Sequence, residues 1–130
     1  MRILLDTHCW LWMQVSPEKL SAQARDLLTD PTSQLYLSAA SSWEIGIKWT
    51  LGKLALPAPP IEYVPRSMER HGVRGLAVEH RHTLHMTTFP LHHRDPFDRL
   101  LLAQAQLEKL ALMTVDRVFA DYEGIDLLWA

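Results

Sequence analysis

A single cysteine, Cys9, stands among the 130 residues of the chain, so neither an internal disulfide nor a multi-cysteine zinc site can form. No stretch approaches the run of about 20 apolar residues that a membrane-spanning helix needs. The opening Met-Arg-Ile-Leu-Leu-Asp meets an acid after three apolar residues, too early for a secretory leader, so a cytoplasmic protein is expected. Nor does one sign of charge dominate. A net charge of −2 excludes the strongly basic proteins that hold nucleic acid by bulk electrostatics. Glycine and proline, five and eight residues, punctuate the chain without forming a low-complexity tract.

What is present is an ordinary globular composition, 48% hydrophobic and 22% charged, at a length that suits one domain over residues 1–130. Short apolar runs alternate with helical patterns. Arg2 to Asp6 reads as a buried strand ending in an acid, followed by a helix from Thr7 to about Met13. Leu20, Ala24, Leu27 and Leu28 form a second helical stripe that Asp30-Pro31 ends. Strand candidates follow at 34–38, 75–78, 112–115 and 125–129. Helices are expected over 40–51, 61–71, 79–86 and 96–110, the last with Asp95 as N-cap and Pro96 in its first turn. Such alternation implies an α/β fold with a mainly parallel sheet covered on both faces.

Ligands in such sheets sit at the carboxyl ends of the strands. Asp6 ends the first strand, and Asp116 lies just past the strand that finishes near Thr114. Glu44 and Asp98 each sit about one turn into a helix. Four carboxylates from four segments could meet at one end of the sheet. Such a group is costly unless a cation lies in it, and Mg²⁺ or Mn²⁺ suits carboxylate oxygen. One ion can activate water, and a second about 3.5–4 Å away can stabilise a leaving oxygen. Each acid also has a plainer reading. Asp6 and Asp116 can cap the helical turns after them, Glu44 can pair with Lys48 at i,i+4, and Asp95 reads as a cap rather than a ligand. Spacing alone leaves both readings open.

Other groups weigh less. A nucleophile built from Cys9 and His8 fails because adjacent helical residues point about 100° apart and no third group orients them. Between Arg66 and Arg99 lie six arginines against four acids, together with six of the seven histidines. Next to an acidic metal site these side chains become phosphate contacts; alone they are a solvated face. His80, His82 and His85, or His92-His93, could be imagined around zinc, but a solvent-facing or RNA-facing role is expected for them. Trp10, Trp12 and Trp49 are assigned to a dimer or partner surface.

At these residues the chain resembles a known family. Leu4-Leu-Asp-Thr-His-Cys-Trp-Leu-Trp12 is similar to the opening of PIN-domain proteins of the VapC toxin type. Ser38-Ala-Ala-Ser-Ser-Trp-Glu-Ile-Gly-Ile-Lys48 with Leu51-Gly-Lys-Leu54 resembles their second block. His93-Arg-Asp-Pro-Phe-Asp-Arg-Leu-Leu-Leu-Ala-Gln-Ala105 resembles the third, and Thr114-Val-Asp-Arg-Val-Phe-Ala-Asp-Tyr122 the fourth. The blocks occur in order over essentially the whole chain. The resemblance implies a three-layer α/β/α sandwich and a metal-dependent endoribonuclease, usually dimeric, inhibited by a cognate antitoxin. It places Mg²⁺ or Mn²⁺ on Asp6, Glu44, Asp98 and Asp116, with Thr7 and Thr114 orienting carboxylates or water. Lys48 and Arg99 become candidates for phosphate contact or for balancing the acids. The RNA strand would be cut by water, leaving a 5′-phosphate. Two rivals are a phosphatase with Asp6 as nucleophile, and a non-catalytic binding module of the same fold. The first commonly reads Asp-x-Asp, whereas here Thr7-His8 come after Asp6.

Overall fold

Ile3, Leu4 and Leu5 are wholly buried, and their side chains alternate between two separate cores. The computed structural model describes residues 1–92 and 95–130. Strand β1 (Arg2–Leu5) lies at the centre of a five-stranded sheet. It pairs with β2 (Gln34–Ser38) on one side and β4 (Ala111–Thr114) on the other; β3 (Val73–Leu76) lies beyond β2 and β5 (Leu127–Trp129) beyond β4. Every pairing is parallel. A strand buried on both faces needs an unbroken apolar run, which Ile3-Leu4-Leu5 supplies.

The odd-numbered side chains of β1, Ile3 and Leu5, join Leu35, Leu37 and Val73 in one core. Helices α1 (Thr7–Val15), α2 (Ala22–Thr29), α3 (Ala39–Thr50) and α4 (Pro60–His71) cover it through Trp10, Ala24, Ile45 and Val64. Leu4 and Leu112 face the opposite side, where they meet Leu101, Leu102 and Ala105 of α6 (Pro96–Glu108), with Phe119 and Tyr122. Short α5 (His80–His85) packs beside α6. The result is the expected three-layer sandwich. Right-handed crossovers account for the division: stepping outward from β1 to β3 puts helices on one face, and returning through β4 to β5 puts them on the other.

That reversal makes the gap between β1 and β4 a topological switch point, where the connections leaving the two strands diverge and open a crevice. Asp6 and Asp116 lie just past the ends of these two strands.

Element boundaries differ from expectation where a backbone feature decides them. Gly72, at φ 64°, ends α4 in the left-handed region and feeds the chain directly into β3, which starts at Val73 rather than residue 75. The edge strand β5 begins only at Leu127. Trp10 is fully buried, its ring edge-on to Tyr63 at 6.3 Å, so its assignment to a partner surface is corrected. An aromatic on the inward stripe of α1 fills the core; the exposed tryptophans are Trp43 and Trp49 of α3. Among the described residues no helix is long and apolar enough to cross a membrane.

Candidate active site

Asp6 follows β1 directly and serves as the N-cap of α1, with Oδ1 accepting from the Cys9 N–H at 2.7 Å. Its other oxygen, Oδ2, accepts from the Thr114 hydroxyl at 2.5 Å, while Thr114 Oγ1 accepts from the Asp116 N–H at 3.1 Å. One buried hydroxyl therefore ties the acid after β1 to the acid after β4. Asp116 in turn caps the 3₁₀ turn Arg117–Asp121, accepting from the Val118 N–H at 3.0 Å. Capping and a ligand role are compatible for Asp6: a carboxylate offers about four lone-pair sites, and these two hydrogen bonds occupy two of them.

Thr7 donates to Ser41 Oγ at 3.0 Å and so fastens the start of α1 to α3. The buried positions of α3 are Ala40, Ser41, Glu44 and Ile45, an inward stripe at helical spacing that carries Glu44 beside Ser41. Glu44 is 6% exposed, with Lys48 Nζ 3.0 Å from its carboxylate. The neighbouring Trp43 ring meets Phe97 edge-on at 5.2 Å, which holds the start of α6 against α3. Asp95 caps α6 as expected, accepting from the Phe97 N–H at 2.9 Å, and Asp98 lies in the first turn, half-buried.

Asp6, Asp98 and Asp116 thus all stand at helix or turn N-termini, whose unpaired N–H groups and dipoles favour negative charge. Glu44, in mid-helix, has Lys48 instead. These carboxylates make a set of hard oxygen donors, two of them almost wholly buried, and such a set fits Mg²⁺ or Mn²⁺ rather than a soft metal. Asp6 and Asp116 follow the ends of the adjacent strands β1 and β4, and among the described residues no three of the four acids bring ligand atoms within 4.8 Å of one another. Among the described residues, the group of three ligand atoms lying within 4.8 Å of one another is elsewhere, at Glu79, His82 and Glu108.

The PIN domain family description matches residues 3–125, nearly the whole chain. The chain belongs to the PIN domain family. Over 63 residues it is 46% identical to ribonuclease VapC16 of Mycobacterium tuberculosis, a match covering 48% of this chain and 45% of that protein. The chain therefore matches less than half the length of this curated relative. VapBC2 from Rickettsia felis, solved bound to a DNA fragment from its promoter, has the same fold, with a TM-score of 0.75 at 13% identity over 99% of this chain and 98% of that one. A toxin–antitoxin complex from Klebsiella pneumoniae aligns with a TM-score of 0.60 at 17% identity, over 95% and 94% of the two chains.

The compact histidine–carboxylate group of this PIN domain has the wrong chemistry for a metal. His82 is fully buried, and its Nδ1 accepts from the Glu79 N–H at 2.9 Å. In the neutral ring the proton must then sit on Nε2, which lies 2.9 Å from Glu108 Oε1 and donates to it. A metal ligand needs one bare ring nitrogen, and here Nδ1 is taken by the Glu79 N–H and Nε2 by Glu108. Arg81 adds its guanidinium to both Glu108 and Glu79. The group bolts α5 to α6. The hydrogen bond from His82, with Arg81 close by, holds the Glu108 carboxyl below its usual range against the opposing effect of burial. The expected solvent-facing role of His82 is corrected, because its partner Glu108 comes from 26 residues away. His85 is half-buried, with Nε2 2.5 Å from Gln106 Oε1, whereas His80 and His92 are exposed. His93 and Arg94, which open the third motif, lie outside the described residues.

The expected phosphate-binding cations have partners within the PIN domain. Lys48 faces Glu44, and Arg99 donates from Nη2 to the carbonyls of Met86 and Phe89 at 3.1 and 3.4 Å. Arg117, which sequence reasoning passed over, is exposed, and its guanidinium lies 4.0 Å from the Trp129 ring centroid. Its position directly after Asp116 was the available signal. Cys9 is buried, and burial pushes its thiol far up, with the adjacent Asp6 carboxylate adding to the effect. It is unfit as a nucleophile.

Proposed function

We infer that this PIN domain is a metal-dependent endoribonuclease acting as the toxin of a toxin–antitoxin pair. The observation that carries this reading is the Thr114 hydroxyl bridging Asp6 and Asp116 at the switch point of the sheet, with Glu44 buried on the helix that Thr7 and Ser41 fasten to α1. The name of the partial relative, a ribonuclease, supports it.

Asp6, Glu44, Asp98 and Asp116 are the residues that would hold Mg²⁺ or Mn²⁺, which supplies an acidified water and stabilises charge on the phosphodiester. Thr114 fixes the rotamer of Asp6 through Oδ2, while the Cys9 N–H fixes Oδ1, so this carboxylate is set in place before any ligand arrives. Lys48 balances the charge of Glu44. The same two hydrogen bonds, with only 4% exposure, make Asp6 a poor attacking group and disfavour a phosphatase with an aspartyl intermediate.

Trp43 and Ile47 of α3, with Leu51 just past its end, present an exposed apolar stripe around a cavity of about 510 Å³. Such a patch fits a protein partner, which in this reading is the cognate antitoxin or a second copy of the chain. The likeness to a toxin–antitoxin complex supports the partner. Purified protein should cut an RNA substrate in Mg²⁺ or Mn²⁺ and stop in excess EDTA. RNA binding without any cleavage would favour the non-catalytic module.

A further inference from the structure

An acidic pocket repels RNA unless positive groups stand beside it, and two nearby cations are already engaged. Lys48 lies 3.0 Å from Glu44, and Arg99 donates into the 86–89 turn. Arg117 differs. It opens the 3₁₀ turn that Asp116 caps, it is exposed, and among the described residues no carboxylate lies within ion-pair distance of it. Its guanidinium carbon sits 4.0 Å from the Trp129 centroid, against 5.6 Å for Arg2 on Tyr36 and for Lys19 on Trp12, so this pair is the closest of the three.

An aromatic face orients a guanidinium without neutralising it, as a carboxylate would. The platform is itself anchored. Trp129 is the register partner of Thr114 across β4 and β5, and the Ala130 N–H donates to the Thr114 carbonyl at 3.0 Å. Neighbouring strands lie about 4.8 Å apart, so the stack stands one strand from the threonine that holds Asp6. An exposed guanidinium over a ring keeps N–H donors for a phosphate, in the two-point geometry that lysine lacks.

We propose that Arg117, held on Trp129, binds a backbone phosphate of the RNA strand beside the acidic site and so positions the substrate. This assignment rests on the ribonuclease reading, but its test does not require cleavage. Binding of a fluorescein-labelled single-stranded RNA would be followed by anisotropy in EDTA across a salt series. Arg117→Ala should bind about tenfold more weakly, with the slope of log K against log salt smaller by about 0.7. Arg117→Lys should keep the wild-type slope yet stay weaker, because it retains the charge and loses the fork. In cleavage, Arg117→Ala should raise KM about tenfold while kcat stays within about twofold. An unchanged slope and affinity in Arg117→Ala overturns the proposal, and so does failure of the wild type to bind RNA. RNA bound through Arg117 but never cut would sink the ribonuclease reading and leave this contact standing. RNA cut and bound equally well by Arg117→Ala would do the reverse. If Arg117→Ala also lowers the melting temperature, the lysine variant decides: a lost slope in a folded Arg117→Lys protein contradicts a phosphate contact.

Discussion

Replacing Thr114 by valine keeps the shape of a wholly buried side chain and removes the hydroxyl that links the two acids. The structure sets the size of the effect. The bond to the Asp6 carboxylate is a hydrogen bond to a charged group, for which about 1.5–3 kcal/mol is typical. The Asp116 N–H also loses its acceptor, at about 1 kcal/mol, the low end because the residue is only half-buried and water can reach it. Thr114→Val should therefore lose about 3 kcal/mol. For a domain of this size that is a drop of roughly 9–15 °C in melting temperature. Cleavage should fall about 10- to 100-fold, the usual cost of removing a group that orients a metal-binding carboxylate. Thr114→Ser is the control. It keeps the hydroxyl and loses one methyl, at about 1 kcal/mol, and should retain most of the activity. Urea unfolding and initial cleavage rates of the three proteins give the ranking wild type, serine, valine. A valine variant as stable and as active as the serine variant would refute the reasoning.

Three further outcomes rest on named contacts. Glu108 has its folded-state pKa depressed by His82 and Arg81, so its contribution to stability is present above its unfolded value, about 4.3, and is lost as pH falls through the lower folded value. Urea midpoints of Glu108→Gln should accordingly change less with pH below about 4.5 than those of the wild type, and equal curves would remove the assigned role. Cys9→Ala should keep its cleavage rate, and the native thiol should resist a thiol reagent until urea unfolds the chain; rapid labelling of the folded protein would contradict the burial. Lys109 ends α6 at φ 56°, a conformation that strains an L side chain, so Lys109→Gly should raise stability by about 0.5–1 kcal/mol, measurable as a later urea midpoint.

Much of the fold was legible because local pattern and global topology agree. Ile3-Leu4-Leu5 is apolar on both faces because β1 is central, and Asp95 before Pro96 marked the start of the long helix. Asp6 and Asp116 were readable as candidates because strand ends define where ligands collect in a parallel sheet. The features that escaped the sequence depend on partners far along the chain. His82 looked like one of many surface histidines, and only its pairing with Glu108 and the Glu79 N–H explains why it is buried. Trp10 and Trp43 are both helical tryptophans, yet the stripe of α1 turns one into the core and that of α3 leaves the other outside. Arg117 gained its interest from Trp129, which β5 brings beside Thr114. Nothing in the spacing of the four acids states how closely their oxygens approach, and among the described residues no three of them bring ligand atoms within 4.8 Å of one another.

In the proposed mechanism these carboxylates hold a divalent ion that RNA cleavage requires. Calorimetric titration of Mn²⁺ into the wild type and into Asp6→Asn, with cleavage assayed on the same samples, tests it most directly. The wild type should give a saturable isotherm and metal-dependent cutting, and both should be lost in an Asp6→Asn protein whose circular dichroism is unchanged. Cleavage by folded Asp6→Asn at the wild-type rate, or wild-type cleavage that persists in excess EDTA, would contradict it.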